Sequence, residues 1–227
     1  MNLLVKGVGF REGYVTIAGP SNGLLRMLEF GRLGVVDGRP YEGHTSDREA
    51  VLDIISGVCR LEVAGGETFD RVGGRRDAFG AGPTLICLPP GTGYRLTALT
   101  ANVDLAVSMT PAEPGLPVAV IGPNDVPEQR AGAANWSRTI RPGTSVAPAT
   151  RRLMMAETLV GAGNWTSYPP HKHDVENPPN ESVYEEVYFY LFKPAGGYGF
   201  QRVYEAGDDP DRLDEVYVVE DGDAVAI

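Results

Sequence analysis

Gly82-Pro83-Thr84-Leu85-Ile86-Cys87-Leu88 and Gly222-Asp223-Ala224-Val225-Ala226-Ile227 decide the fold. Each is a glycine followed by a short run of small and apolar residues, the length of a buried strand rather than of a helix. Their surroundings correspond as well. Glu42-Gly43-His44 through Glu49, a strand and a Gly-rich turn precede the first; His171 through Glu186, a strand and Gly196-Gly197 precede the second. The chain therefore reads as a weak internal repeat of one supersecondary unit.

Working outward, 29 glycines and 18 prolines punctuate short runs of Val, Ile, Leu, Tyr and Phe, a β-rich pattern with almost no helical periodicity. Predicted strands are Leu24–Phe30, Ala50–Ile55, Cys59–Val63, Thr84–Leu88, Val103–Met109, Arg152–Val160, Val187–Phe192, Phe200–Tyr204 and Val216–Val219. Pro111, Pro114, Pro117, Pro123 and Pro127 interrupt the chain too often for a helix or a central strand. The expected organisation is an N-terminal unit over 1–110, a Pro-rich linker over 111–127 and a C-terminal unit over 128–227. After Leu88 the first unit continues through Pro89-Pro90-Gly91-Thr92-Gly93-Tyr94 and a further strand, whereas the second stops at Ile227. The second unit is thus expected to lack its last strand, which leaves a sheet edge to cover, or to be completed by a partner chain.

Composition narrows the function. At 227 residues, 42% hydrophobic and 22% charged, the chain is too apolar for disorder and long enough to bury a real core. A formal charge of -10 repels phosphate backbones and anionic lipid, which argues against nucleic acid and membrane surfaces as partners. Cys59 and Cys87 lie in apolar runs without CxxC spacing and read as buried thiols. No secretory leader and no 18-residue apolar run is apparent, so a cytoplasmic address is expected.

The chemistry concentrates at Tyr168-Pro169-Pro170-His171-Lys172-His173-Asp174. The chain has three histidines, and two of them are separated by one residue just after a proline pair that favours extended backbone. In a strand, positions i and i+2 project from one face, so His171 and His173 can share a cation. An isolated HxH also arises by chance on a solvated loop. Downstream, Glu185-Glu186-Val187-Tyr188-Phe189-Tyr190-Leu191 alternates. One face carries Glu186, Tyr188 and Tyr190; the other carries Glu185, Val187, Phe189 and Leu191. Spacing alone does not decide which face points inward. The first half has His44 and Glu49 at candidate ligand positions, but no HxH and no closing histidine, so it is expected to keep the scaffold without the chemistry.

Tyr168–Asp174, the Pro/Asn-rich insert through Asn180, Glu185–Tyr190 and Gly197-Tyr198-Gly199-Phe200-Gln201-Arg202-Val203-Tyr204 resemble the 5-deoxy-glucuronate isomerase family of inositol catabolism, a relative of the 5-keto-4-deoxyuronate isomerases. Arg48-Glu49, Ser56-Gly57 and Gly74–Phe79 extend the resemblance over most of the chain. It implies an all-β bicupin, two tandem jelly-roll-like units, the second holding a divalent metal on two His, one Glu and a further His. His171, His173 and Glu186 match the first three ligands; the fourth is expected beyond Ile227. Zinc is the first expectation, with manganese, iron and nickel as alternatives.

The reaction so implied is aldose–ketose isomerisation of a small-molecule sugar acid, 5-deoxy-glucuronate, through a metal-stabilised enediol(ate). The absence of a strand-linked GxGxxG and of a P-loop agrees with a reaction that needs no nicotinamide or nucleotide. Candidate acid–base groups near the motif are Tyr188, Tyr190 and Lys172, with Glu181 and Glu185 beside them. Arg202, with Gln201 next to it, is the candidate for the substrate carboxylate. The insert Val175–Ser182 reads as a lid over the site or as a plain connector. Rival readings are another metal cupin enzyme, such as a dioxygenase or a 5-keto-4-deoxyuronate isomerase, and a catalytically silent bicupin that binds a sugar acid. By analogy with cupins a homo-oligomer is also expected.

Overall fold

The computed structural model describes residues 2–146, 148–207 and 210–227. Among these the regular elements are strands and three short 3-10 turns, and no helix is long and apolar enough to cross a membrane.

The first half contributes β1 (Leu4–Val5), β2 (Gly13–Ala18), β3 (Glu29–Val36), β4 (Tyr41–His44), β5 (Arg48–Ser56), β6 (Val58–Val63), β7 (Thr68–Gly73), β8 (Leu85–Leu88), β9 (Gly93–Ala98), β10 (Asn102–Pro111) and β11 (Ala119–Ile121). A six-stranded sheet, β11-β8-β5-β10-β3-β2, faces a four-stranded sheet, β4-β9-β6-β7, in jelly-roll fashion without closing into a barrel. Leu33, Leu52, Ile54, Ile86 and Leu105 from one sheet interlock with Cys59, Leu61, Val72 and Leu96 from the other. Each buried aliphatic side chain here contributes about 2 kcal/mol.

β5 is buried along almost its whole length because both faces are covered, and for that reason Ala50-Val51-Leu52-Asp53-Ile54-Ile55 does not alternate. Val51 turns away from the first core and packs with Leu85, Cys87, Ile121, Val126, Ala149 and Leu153. Cys59 and Cys87 are both buried thiols. Burial pushes each up to about 12, which keeps them protonated and unreactive.

The second half contributes β12 (Gln129–Ala131), β13 (Arg138–Arg141), β14 (Glu157–Val160), β15 (Val187–Phe189), β16 (Tyr198–Tyr204), β17 (Asp214–Glu220) and β18 (Ala224–Ala226). The two Gly-led runs, Gly82–Leu88 and Gly222–Ile227, form matching strands. β8 lies between β5 and β11, and β18 lies between β15 and β1. Val225 pairs with Tyr188 on one side and with Leu4 on the other. The chain's own N-terminal strand therefore lines one edge of β18, as β11 lines β8. β11 sits inside the Pro-rich stretch as an edge strand, with Pro117 and Pro123 just outside it, where missing N–H groups do not break a ladder.

The halves also pack face to face. Val187 and Phe189 of β15, with Ala224, meet Ile17 and Phe30 of β2 and β3. Phe30 and Phe189 are 5.3 Å apart between ring centroids.

Two predicted strands begin later than their apolar content suggested, and a third ends earlier. Leu24–Phe30 gives way to β3, which begins at Glu29, and Arg152–Val160 to β14, which begins at Glu157. In both cases a carboxylate from the other half takes the backbone amides that a ladder would have used. Glu185 accepts from Arg26, Met27 and Leu28, and Glu49 accepts from Arg151, Arg152 and Leu153. The predicted Val187–Phe192 ends at Phe189, and the Phe192 amide goes to Asp221 at 2.7 Å.

Candidate metal centre

Adjacent residues on an extended chain point to opposite sides, and the Glu185–Phe189 segment uses both. Glu185, Val187 and Phe189 turn to the first half. Glu186, Tyr188 and Tyr190 turn to the interior of the second, so each face is partly buried. The Glu186 backbone is held by a reciprocal pair of 2.8 Å hydrogen bonds with Ile227, which extends the β15–β18 ladder.

His171 and His173 lie on backbone that joins no ladder, rather than on a strand. The tie is instead the Tyr184 amide, which donates to the His173 carbonyl at 3.0 Å. The i, i+2 relation still brings the two imidazoles together, with ring centroids 5.2 Å apart. Tyr184 packs on His173 at 5.1 Å.

One donor atom from each of His171, His173 and Glu186 falls within 4.8 Å of the other two. Two neutral imidazoles and one carboxylate, partly open to solvent, are a donor set that suits a divalent transition metal with coordination positions left for a ligand. His44 has another role, since its Nδ1 accepts the Ser46 amide at 2.9 Å. Glu49, buried, is filled by its three amides.

A hydroxyl row continues from Glu186. Tyr188 and Tyr190 stack with centroids 6.5 Å apart, Tyr188 lies 3.5 Å from the Ser167 hydroxyl, and Tyr190 donates to Gln201 Oε1. Burial, reinforced by the charge of Glu186, pushes the Tyr188 phenol up to about 12, and burial raises Tyr190 as well. Both are therefore hydrogen-bond donors near neutral pH.

Lys172 points to the insert. Its ammonium pairs with Asp174 and with Glu181 Oε1 at 2.9 Å. Hydrogen bonds to these two acids raise the Lys172 pKa, and Lys172 in turn holds Glu181 down to about 2. Glu181 also accepts the amides of Asp174 and Val175, so the Val175–Ser182 insert is fastened back onto the histidine segment. The two segments enclose a cavity of about 340 Å³ lined by His171, Lys172, His173, Pro179, Asn180, Glu181, Ser182 and Tyr184.

Gln201 and Arg202 part company. Gln201 is on the inner face of β16 beside Tyr190, whereas Arg202 is on the exposed face. There it forms a two-pronged pair with Asp214 at 2.7 and 2.8 Å and lies over Tyr204. The structure thus gathers His171, His173, Glu186, Tyr188, Tyr190 and Gln201 on the inner side and leaves Arg202 outside that group. Sequence reasoning missed Tyr184 and Ser167. Tyr184 had a signal, since it stands two residues before Glu186; Ser167 had none.

The chain matches the profile of the KduI/IolB family over residues 3–227. It is 32% identical over 217 residues to a 5-deoxy-glucuronate isomerase of Geobacillus thermodenitrificans, covering 95% of this chain and 77% of that one. It is 31% identical over 212 residues to a 5-deoxy-glucuronate isomerase of Bacillus subtilis strain 168, covering 91% and 75% respectively. The crystal structure of an IolB-like protein from Salmonella typhimurium superimposes with a TM-score of 0.88 at 29% identity, over 100% of this chain and 84% of that one. An oxalate decarboxylase from Lactobacillus farciminis shares the cupin architecture at a TM-score of 0.65 and 14% identity. With the profile spanning both halves and the histidine, glutamate and tyrosine motifs all inside it, the chain belongs to the KduI/IolB family.

Proposed function

We propose that this chain is an aldose–ketose isomerase that converts 5-deoxy-glucuronate to 2-deoxy-5-keto-gluconate, with a divalent metal, zinc first, held by His171, His173 and Glu186. The observation that carries the reading is the convergence of those three donors in a chain whose relatives bear the isomerase name over most of their length.

The barrier in such a reaction is removal of a proton from carbon beside a carbonyl. When bound, the metal supplies Lewis acidity at the carbonyl and neighbouring hydroxyl oxygens. The chain's residues bind and orient the substrate. The cavity between the histidine segment and the insert is the place for the sugar acid, with Asn180 and Ser182 lining it together with His171 and His173. Tyr188, poised by Ser167, donates to a substrate oxygen as charge develops there, and the Tyr190–Gln201 pair offers a second polar contact on the same face. Lys172 stays protonated between two acids and fastens the insert.

The test is product formation. Metal-loaded protein should convert 5-deoxy-glucuronate to the ketose, and Glu186→Gln should not. Absence of conversion by loaded wild type contradicts the reading.

A further inference from the structure

Glu185 and Glu186 are neighbours with opposite assignments. The Glu186 carboxylate belongs to the donor cluster of the second half. The Glu185 carboxylate reaches into the first half, where Oε1 accepts the Arg26 amide at 2.7 Å and Oε2 accepts those of Met27 and Leu28 at 2.9 and 2.8 Å. The loop it grips is itself fixed, because Leu25 is buried with Ala18 and Ala226, and Leu24, Leu28 and Val187 pack around them. The residue directly before Glu186 is thus anchored to a firm part of the first half, and the residue directly after it is packed against the same surface.

We propose that Glu185 is a positioning residue for the metal centre. By clamping amides 26–28 it fixes the direction in which Glu186 meets His171 and His173, so the first half, which holds no donor cluster of its own among the described residues, tunes the site of the second. The inference rests on the metal reading of His171, His173 and Glu186. Glu49 provides the control, because it makes the same three-amide clamp in the opposite direction, onto Arg151, Arg152 and Leu153. Its clamp holds the halves together without adjoining a donor residue.

The experiment is a cobalt(II) titration of the full chain, read by the d–d absorption of the bound ion and by competition with a chelator. The folded fraction of each sample is measured first by circular dichroism. Glu185→Gln places an amide group against amide donors and should weaken cobalt binding on the order of 10–100-fold, with a change in the d–d spectrum. Glu49→Gln should lower thermal stability and leave affinity and spectrum as in wild type. Glu185→Asp, which keeps the charge and shortens the reach, should fall between wild type and Gln, and it carries the test if Glu185→Gln does not fold. Equal affinity and spectrum for wild type and the Glu185 variants overturn the positioning role and leave the metal reading standing. Loss of affinity in Glu49→Gln as large as in Glu185→Gln also overturns it, because the effect is then general loosening. No cobalt band in wild type overturns the metal reading and this inference with it.

Discussion

Arg75, on the loop after β7, lies 2.6 Å from Glu157 on β14 and 3.0 Å from Asp53 on β5, so one buried guanidinium from the first half joins acids of both halves. Glu157 is shared with a second buried guanidinium, that of Arg141, at 3.5 Å. Burial and the charge of Glu157 push Asp53 up to about 8 despite Arg75. The folded pKa lies above the unfolded one, so the folded state favours the proton. That stabilisation is complete below about pH 4 and is lost as the pH rises towards 8. We predict that chemical denaturation shows stability from this cluster falling between about pH 4 and pH 8. Asp53→Asn, neutral throughout, should flatten that slope; an unchanged slope contradicts the assignment.

The Glu49 clamp predicts a stability effect without chemistry. Three amides donate to one buried carboxylate at 2.7–2.8 Å. Glu49→Gln keeps the shape but offers donors where acceptors are needed, and should cost about 2–4 kcal/mol. Urea unfolding measures this, and a loss below about 0.5 kcal/mol shows that the clamp is dispensable.

The donor cluster predicts the reverse pattern. His171 is exposed and His173 and Glu186 are only partly buried, so His173→Ala should change the stability of metal-free protein little, within about 0.5 kcal/mol. Zinc at about 100 times its dissociation constant should stabilise wild type by about 2.7 kcal/mol and the variant by far less. Thermal shifts with and without zinc decide it, and equal shifts in both proteins contradict the ligand assignment.

Glu181 gathers Lys172 and the amides of Asp174 and Val175. Glu181→Ala should release the Val175–Ser182 insert, seen as several-fold faster limited proteolysis within it and as a raised KM. Unaltered cleavage and KM remove the insert from the binding wall.

Much of this architecture was legible from the repeat. The correspondence of Gly82–Leu88 with Gly222–Ile227 anticipated β8 and β18, and the HxH and alternating strand anticipated the cluster at His171, His173 and Glu186. Alternation could not reveal which face of the Glu185–Phe189 segment points inward, because both faces are used: one packs on the first half and the other lines the site. Nor could local patterning show where the strands begin, since Glu49 and Glu185 remove their amides from more than a hundred residues away. β4 was hidden for another reason. Its Gly43 looks like a strand breaker but lies opposite Tyr94, whose ring passes within 2.4 Å of where a Cβ would stand. The N-terminal β1 carried too short a pattern, two residues, to announce a partner at the far end of the chain.

Isomerisation at the His171–His173–Glu186 site is read by proton NMR of 5-deoxy-glucuronate in heavy water with metal-loaded protein. Ketose signals should grow with time, protium at the reacting carbon should be lost through solvent exchange at an enediolate, and neither change should occur with Glu186→Gln. A loaded protein that leaves the substrate spectrum unchanged, or a Glu186→Gln variant that converts it as fast as wild type, contradicts isomerisation at this site.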